Sequence, residues 1–334
     1  MHQDNAQVLY FQQIKKLLPP HLNVADEIAK VLEITADSAY RRIRGEKQIT
    51  FEDLLKLSGR YKLSIDQFLN LQGNGFIFSG KLSHSSGNFI EQYLTNMLKE
   101  FDFIRSFNHS HIYFLPNDIP PFAYFQFPEL SAFTFFYYMK SLLNLGELKD
   151  QKFSVKCLNA VHVKLGKKVQ ESFNNISSTE IWGTDSIDSI LRHIAFYRDT
   201  QAFESMEDIL CLYDNLDNLI THIEKQAELG FKFTYGEIPV KNPASFRMYY
   251  NDLITGDNCM FAEMGISKVT YINHNLINFM FTRDEEFNNY TKATFENAIR
   301  KSTQISMVGE KSRARFFTQL RKKIRTQKEA IIHY

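Results

Sequence analysis

The sequence predicts a mainly α-helical protein with a small antiparallel sheet, an α+β fold in which a compact N-terminal headpiece precedes a larger domain. Within about 70 residues at the start, several apolar patterns of helical period each follow a residue that favours a helix start. The helical period continues through residues 88–230. Beyond residue 231 the chain changes to short runs rich in Phe, Tyr, Val and Ile, broken by Pro and Gly, which is typical of strands.

The headpiece, residues 1–72, is predicted to contain five short helices. Residues 5–18 carry apolar side chains at helical spacing, and Pro19 and Pro20 end that helix. The next four helices each begin at a residue whose side-chain oxygen can accept a hydrogen bond from the first turn. These residues are Asn23, Thr35, Thr50 and Ser64. Short helices joined by tight turns favour a small bundle.

The helix predicted over residues 35–45 has two chemically different sides. Small and apolar side chains gather on one side at about 100° per residue, namely Ala36, Ala39 and Ile43. The opposite side carries Asp37, Ser38, Arg41 and Arg44, with Tyr40 and Arg42 on the two borders. Arginines and short polar side chains are the types that contact base edges and phosphates in the major groove of DNA.

Residues 22–70 resemble a helix-turn-helix headpiece of the Cro and lambda-repressor type. The resemblance is carried by Ala29, the turn Glu33-Ile34-Thr35, the run AYRRIRG at 39–45 and the segment TFEDLL at 50–55. It implies that Ala29 lets two helices approach, that an Arg-Gly pair closes the recognition helix, and that a two-fold dimer reads a near-palindromic operator. A headpiece followed by a large domain also resembles the layout of a group of bacterial transcriptional regulators.

Two positions depart from the pattern of that family. The turn usually carries Gly where this sequence has Glu33. A left-handed backbone costs such a residue about 1–2 kcal/mol, so we expect the turn to be built differently. Arg42 stands where many members of the family place an apolar residue. Both departures bear on the register of the base contacts.

The polar side of the helix and the resemblance together predict a DNA-binding surface. Its residues are Thr35, Asp37, Ser38, Tyr40, Arg41, Arg42, Arg44 and Lys47. Arg41 could pair bidentately with guanine, which is worth about 1–3 kcal/mol of discrimination, whereas Arg44 and Lys47 are placed to meet phosphate. Asp37 suits the base edges or the helix N-terminus, where the helix dipole favours a negative charge. The alternative interpretation is a solvated helix face of a small bundle.

The rest of the chain is predicted to comprise a linker and two regions of different texture. Glycines and serines mark residues 73–87 as the linker. Residues 88–230 are predicted as mainly helical, with a short strand over 111–115, and residues 231–334 as a small antiparallel sheet with two closing helices. As an alternative, residues 88–334 form a single sensor or dimerisation domain. The tetrapeptide Thr-Gly-Asp-Asn at 255–258 predicts a hairpin between the runs on either side of it.

Charge is unevenly distributed along the chain, although the formal net charge is only +1. Residues 300–330 carry ten Lys and Arg against two Glu, a net +8, which leaves about −7 for the remainder. Residues 313–328 are predicted as an amphipathic surface helix with an apolar stripe of Phe316, Leu320 and Ile324. The alternative is a second phosphate-binding surface or a helix that docks a partner.

We expect a cytoplasmic protein without a membrane span. The N-terminus is polar and lacks the apolar core of a signal peptide, and charged residues and prolines interrupt the most apolar window, residues 120–145. The three cysteines, Cys157, Cys211 and Cys259, are sparse and odd in number. That usage argues against a disulfide framework and fits a reducing compartment. We expect these thiols to be buried, small apolar side chains.

Spacing identifies no catalytic or metal-binding constellation. His109 and His111 would share one side of a strand, but no third metal ligand is spaced to join them. The aromatic runs at 122–127 and 133–138 are expected in the core, or alternatively around an apolar ligand pocket. The sequence therefore predicts no enzyme, no metal and no cofactor.

These observations predict a sequence-specific transcriptional regulator that binds double-stranded DNA as a homodimer. The domain after residue 73 would dimerise the protein, sense a small-molecule or protein effector, or do both. One alternative is a protein-interaction module that the headpiece only localises to DNA. The least favoured alternative is an enzyme fused to a headpiece, because no catalytic residues can be named.

Overall fold

The computed structural model describes residues 5–19, 21–61, 63, 65–68, 75–80, 88–237, 243–254, 258–275 and 277–332. Most of the predicted linker lies outside these ranges, as do the predicted helix start at residue 64 and residues 255–257 of the predicted hairpin. Within the described ranges, no helix combines the length and the apolar character needed to cross a lipid bilayer.

Five helices occupy the start of the described chain, at the positions that the sequence predicts. They are α1 (Ala6–Leu17), α2 (Val24–Leu32), α3 (Ala36–Ile43), α4 (Phe51–Tyr61) and α5 (Ile65–Phe68). The first three begin by local chemistry, because the side chains of Asn5, Asn23 and Thr35 each accept a hydrogen bond from a backbone N–H of the first turn. Their apolar faces meet in one small core, which includes Tyr10, Phe11, Ile14, Ile28, Ala39 and Leu57.

The rest of the described chain contains both helices and strands. The helices are α6 (Phe89–Arg105), α7 (Pro121–Tyr124), α8 (Pro128–Tyr137), α9 (Ala160–Asn174), α10 (Asp188–Asp199), α11 (Met206–Leu229), α12 (Glu285–Arg300) and α13 (Glu310–Ile332). The strands are β1 (Ser79–Gly80), β2 (Ser110–Leu115), β3 (Ser177–Trp182), β4 (Phe246–Tyr250), β5 (Cys259–Met264), β6 (Ser267–His274), β7 (Asn278–Thr282) and β8 (Thr303–Gln304). A π-helical turn, Tyr138–Leu142, extends α8.

These strands form one mixed sheet in the order β1-β7-β6-β5-β2-β3-β4-β8. β3 pairs in parallel with β2 and β4, and the other pairs are antiparallel. The prediction of a mixed α and β protein is confirmed. The sheet, however, is larger than predicted, includes strands from before residue 231, and is partly parallel. The short strand predicted over 111–115 is confirmed as β2, whereas β3 lies in a segment predicted as helical. The helices between these strands supply the crossovers that parallel strands require. A division at residue 230 would cut through this sheet.

The hairpin predicted around residues 255–258 does not form. β4 and β5 lie on either side of that tetrapeptide in sequence, but β3 and β2 lie between them in the sheet. The hairpins are instead β5–β6, which turns at Gly265 with a φ of 62°, and β6–β7, which has Asn275 at a φ of 56°. The prediction failed because it rested on local turn residues, whereas contacts between distant segments decide which strands pair.

Helices cover both faces of the sheet. On one face, Ile112 and Phe114 of β2 belong to a core that also contains residues of α6, α8 and α9. On the other face, Tyr113 packs against Phe295 of α12, with ring centroids 5.9 Å apart. A second large core joins α8, α10, α11 and α13. The two predicted aromatic runs contribute buried side chains to these cores, as expected.

Candidate nucleic-acid interface

The connection between α2 and α3 is short and uses a left-handed residue. Glu33 has a φ of 58° and a ψ of 44°. The N–H groups of Glu33 and Ile34 both donate to the carbonyl of Ala29, which satisfies the end of α2. The expectation of a differently built turn is therefore wrong. Glu33 itself adopts the conformation that Gly usually takes, at a cost of about 1–2 kcal/mol.

The first turn of α3 is organised by Thr35 and keeps its polar side chains outward. Thr35 Oγ1 accepts a hydrogen bond of 3.3 Å from the N–H of Ser38. Asp37 is exposed in this turn, where the helix dipole favours its negative charge. Ala39 is fully buried on the inner side. Of the other two residues predicted on this side, Ile43 is partly buried but Ala36 is exposed, so the helix packs through Ala39 and Ile43.

Arg42 is buried, which corrects its prediction as a DNA contact. Its Nη1 donates to Ser38 Oγ at 2.6 Å, and its Nε lies 3.3 Å from Asp53 Oδ2. Asp53 also accepts the N–H of Thr50 at 3.2 Å, and Thr50 Oγ1 accepts the N–H of Asp53 at 3.0 Å. The ion pair therefore links α3 to the capped start of α4. This role explains how a charged residue is accommodated in the interior of the headpiece.

Arg41 and Arg44 are the exposed arginines of this surface, with 54% and 60% of their side chains accessible. Glu46 lies between them. Its Oε1 is 2.8 Å from Arg44 Nε, and its Oε2 accepts from Arg44 Nη2 at 3.1 Å. Arg41 Nε lies 4.0 Å from the same carboxylate. Exposed ion pairs contribute only about 0–1 kcal/mol, so a phosphate group can replace Glu46 at little cost.

Six of the eight predicted contact residues are exposed. They are Thr35, Asp37, Tyr40, Arg41, Arg44 and Lys47. Ser38 is half-buried, and its hydroxyl is occupied by Arg42. The hydroxyl of Tyr40 accepts a 3.3 Å hydrogen bond from Asn23 Nδ2, at the start of α2. The exposed set is therefore provided by α3 and by the loop that follows it.

Gln7 of α1 holds the loop after α3, and the sequence interpretation missed it. Its Nε2 donates to the carbonyls of Arg42 at 2.6 Å and Lys47 at 2.8 Å. Its Oε1 accepts the N–H of Ile49 at 3.0 Å. The sequence does contain an indication, because Gln7 occupies the apolar side of α1, seven residues before Ile14. A polar residue on an apolar helix face usually satisfies buried backbone groups.

Gly45 closes α3 in a conformation that requires glycine. Its φ is 77°, and an added Cβ would lie 2.7 Å from Asn5 Nδ2 and 3.2 Å from Val8 Cγ2. Any larger residue would strain the backbone, and its Cβ would require the side chains of Asn5 and Val8 to move. The start of α1 therefore lies close to the point where α3 ends and the loop carrying Lys47 begins.

The basic helix α13 uses several of its cations within the protein. Arg313 is buried, and its Nη1 donates to the carbonyl of Ile305 at 3.0 Å. Lys323 Nζ lies 2.7 Å from Asp188 of α10, and ion pairs also join α13 to α11, namely Arg321–Glu224 and Lys328–Asp214. The predicted apolar stripe is buried. These contacts favour the amphipathic surface helix over a phosphate-binding surface, for which only Lys311, Arg315, Lys322 and Arg325 remain exposed.

The histidines and cysteines singled out in the sequence form no common site in the described part of the chain. His111 Nε2 lies 2.9 Å from Thr179 Oγ1, and burial lowers the pKa of His111 to about 4, so its imidazole is neutral at pH 7. No group of three or more His, Cys, Asp or Glu among the described residues could hold a metal ion. The expectation of buried thiols is wrong, because Cys157 is exposed, whereas Cys211 and Cys259 are partly buried.

A buried polar pair lies far from α3 in the larger domain. Glu180 of β3 accepts hydrogen bonds from Trp182 Nε1 at 2.9 Å and Ser178 Oγ at 3.1 Å. Lys232 Nζ donates to the carbonyl of Ile176 at 2.8 Å. Burial raises the pKa of Glu180 and lowers that of Lys232 to about 7. Lys232, in the segment after α11, thus bonds to the residue that precedes β3, and its attraction to Glu180 was missed because the two residues are distant in sequence.

Comparison of the chain with protein-family models, with curated protein sequences and with solved structures gives no match. The functional assignment therefore depends on the geometry of the protein itself.

Proposed function

We propose that this protein is a sequence-specific DNA-binding transcriptional regulator of the helix-turn-helix type. One observation carries the proposal. A short helix, α3, is joined to α2 by a left-handed turn, with Arg41 and Arg44 exposed while Arg42 is fixed inside. A helix held in this way can enter the major groove with its outer side chains facing the bases.

The exposed residues have different roles in this proposal. Arg41 reads guanine through two parallel hydrogen bonds, which is worth about 1–3 kcal/mol. Arg44 and Lys47, at the end of α3 and in the loop that follows it, meet phosphates. Thr35 and Asp37 lie at the start of the helix, against the bases or the adjoining backbone. Arg42 and Ser38 position the helix and do not touch DNA.

The proposed regulator acts as a homodimer in the cytoplasm. A single headpiece offers too few contacts for tight operator binding, and two-fold dimers of such headpieces bind half-sites one helical turn apart. The larger domain dimerises the protein, senses an effector, or does both. No membrane association is proposed.

Selection of full-length protein on a random pool of DNA duplexes, at fixed physiological salt, tests the proposal. A converged motif with two related half-sites about 10 base pairs apart is the expected result. Arg41→Ala should lower the affinity for that motif by about 10- to 100-fold. Lys168→Ala, which removes an exposed positive charge on α9, is the matched control and should leave the affinity unchanged.

Enrichment no greater than a salt-sensitive background would contradict sequence-specific binding. In that case the headpiece is not a specific reader, and a protein-interaction role for the larger domain becomes the leading hypothesis. Capture of a protein partner with DNA absent would then be the next experiment.

A further inference from the structure

A cavity of about 280 Å³ lies between the sheet and the helices of the larger domain. Small-molecule sites typically measure about 300–1,000 Å³, so the cavity is near the lower end of that range. Its walls come from helices α6 and α7, the segment between β2 and α7, the π-helical turn, and strands β1, β2, β5, β6 and β7. Most of the wall is apolar or aromatic, including Met97, Phe114, Phe122, Tyr138 and Phe279.

The ionisable side chains in the wall are acidic or phenolic. Glu100 and Asp118 are its two carboxylates, and the described lining contains no Lys, Arg or His. Glu100 Oε2 accepts a 3.0 Å hydrogen bond from the hydroxyl of Tyr271. Asp118 is half-buried. Burial raises the pKa of its carboxyl, although a hydrogen bond with Ser189 and the charge of Arg192 act in the opposite direction. A ligand carboxylate would therefore meet two like charges without a cation in the wall.

Tyr93 provides a second and independent indication of a ligand. Its side chain is only 5% exposed, and its hydroxyl has no hydrogen-bond partner in the part of the chain that the structure describes. Its ring stacks on Phe279 at a centroid distance of 5.9 Å and meets the edge of Tyr138 at 6.4 Å. Both neighbours line the cavity. Buried hydroxyls nearly always have a partner, so a ligand that shifts the neighbouring rings and reaches this hydroxyl would supply the missing hydrogen bond.

We propose that this cavity binds a small organic amine with an aromatic or aliphatic body, and that the amine is the effector of the regulator. The cationic group would be held by Glu100 and Asp118 through charge-assisted hydrogen bonds. The apolar body would lie among the aromatic rings. The binding site rests on the cavity alone, whereas the effector role rests on the proposed function.

The cavity adjoins the strand that follows the headpiece in sequence. Ser79 and Gly80 form β1, line the cavity, and pair with Phe281 and Met280 of β7. Just before them, Phe78 packs against a ring of α12 at a centroid distance of 5.2 Å. A ligand that contacts β1 would stabilise its pairing on β7. Occupancy of the cavity is thereby coupled to the segment that leads to the headpiece.

Isothermal titration calorimetry on the full-length protein tests the site. The probes are tryptamine, phenethylamine and hexylamine, each beside the alcohol and the carboxylate of the same carbon skeleton. At least one amine is expected to bind with a Kd below about 1 mM, and about tenfold more tightly than its counterparts. Failure of all three amines to bind at that concentration, or equal binding by the carboxylates, would overturn the proposal.

Variants locate the binding in the cavity. Asp118→Asn and Glu100→Gln are each expected to weaken amine binding by about tenfold and to leave alcohol binding unchanged. Glu147→Gln, at an exposed carboxylate outside the cavity, is the matched control. Met97→Phe should fill the cavity and abolish binding of both compounds. Unchanged amine affinity in a Met97→Phe protein with native circular dichroism would place the ligand elsewhere and refute the site.

Operator titration with and without the amine tests the effector role. The amine is expected to change operator affinity by about fivefold or more. If the amine binds but operator affinity stays constant, the effector role is wrong and the binding site stands. If no operator can be selected, the proposed function fails, while calorimetry still decides the binding site.

Discussion

Replacing Asp53 by alanine is expected to destabilise the packing of α3 on α4 by about 2–4 kcal/mol. The change leaves the guanidinium of Arg42 without its counter-charge, in a place where the Arg42 and Asp53 side chains are only 8% and 15% exposed. Breaking a buried pair in this way costs about 3–5 kcal/mol. The expected value is lower because Ser38 Oγ still accepts from Arg42 at 2.6 Å and both side chains keep some contact with solvent.

Arg42→Met is the matched comparison, since it removes the charge and replaces it with an apolar side chain of similar length. This change leaves Asp53 without its cation, but Asp53 is the more exposed partner, so we expect a cost below about 2 kcal/mol, smaller than that of Asp53→Ala. Asp53 still accepts the N–H of Thr50 in that variant. The double variant Arg42→Met/Asp53→Ala should be less destabilised than the sum of the two, with a coupling of about 1–3 kcal/mol.

Hydrogen exchange on the full-length protein, followed by mass spectrometry, measures this effect, because it reports the local opening free energy of α3 and α4. Peptides from β5 and β6 provide an internal reference. The three variants form a double-mutant cycle with the wild type. Equal destabilisation by the two single changes, together with an additive double variant, would refute the buried-pair argument.

DNA binding by the same proteins separates positioning from contact. Arg42→Met should keep operator affinity within about threefold of wild type, because Arg42 faces the interior. Arg41→Ala should lower that affinity by about 10- to 100-fold, because Arg41 is exposed. An equal loss of operator affinity in both variants would indicate that Arg42 contacts DNA.

Three further predictions concern Glu46, Gln7 and His222. Glu46→Gln should tighten operator binding about two- to fivefold in low-salt titrations, because it releases Arg44; unchanged affinity would show that Glu46 does not compete. Gln7→Ala should lower exchange protection of the Ile49 amide by about 1.5–4 kcal/mol, because three hydrogen bonds to the loop are lost; unaltered protection would contradict that role. Burial lowers the pKa of His222 to about 4, so unfolding takes up a proton between pH 6.5 and 4. The stability that neutral His222 contributes is full above pH 6.5 and falls by up to about 1.4 kcal/mol per pH unit on acidification. Urea unfolding from pH 7 to 4 measures that slope, and His222→Gln should remove the contribution of one proton from it.

The helices of the headpiece could be predicted from the sequence because their causes are local. A cap such as Asn23 or Thr35 bonds to a backbone N–H two or three residues away, and an apolar stripe repeats within one helix. The exposure of Arg41 and Arg44 on the outer side of α3 followed from the same periodicity. Such interactions join residues that are already neighbours in the chain, so the sequence pattern alone determines them.

The sheet and the interior of the site were decided only by the tertiary structure. β3 is buried over most of its length and therefore shows no alternation of apolar and polar residues, while Glu180 in its middle depends on Trp182 and Ser178 for its hydrogen bonds. The helical period places Arg42 only on the border between the two sides of α3, and its burial depends on the ion pair with Asp53 of the next helix. Periodicity assigns a side chain to a face of its own element, but its burial depends on which distant segment packs there.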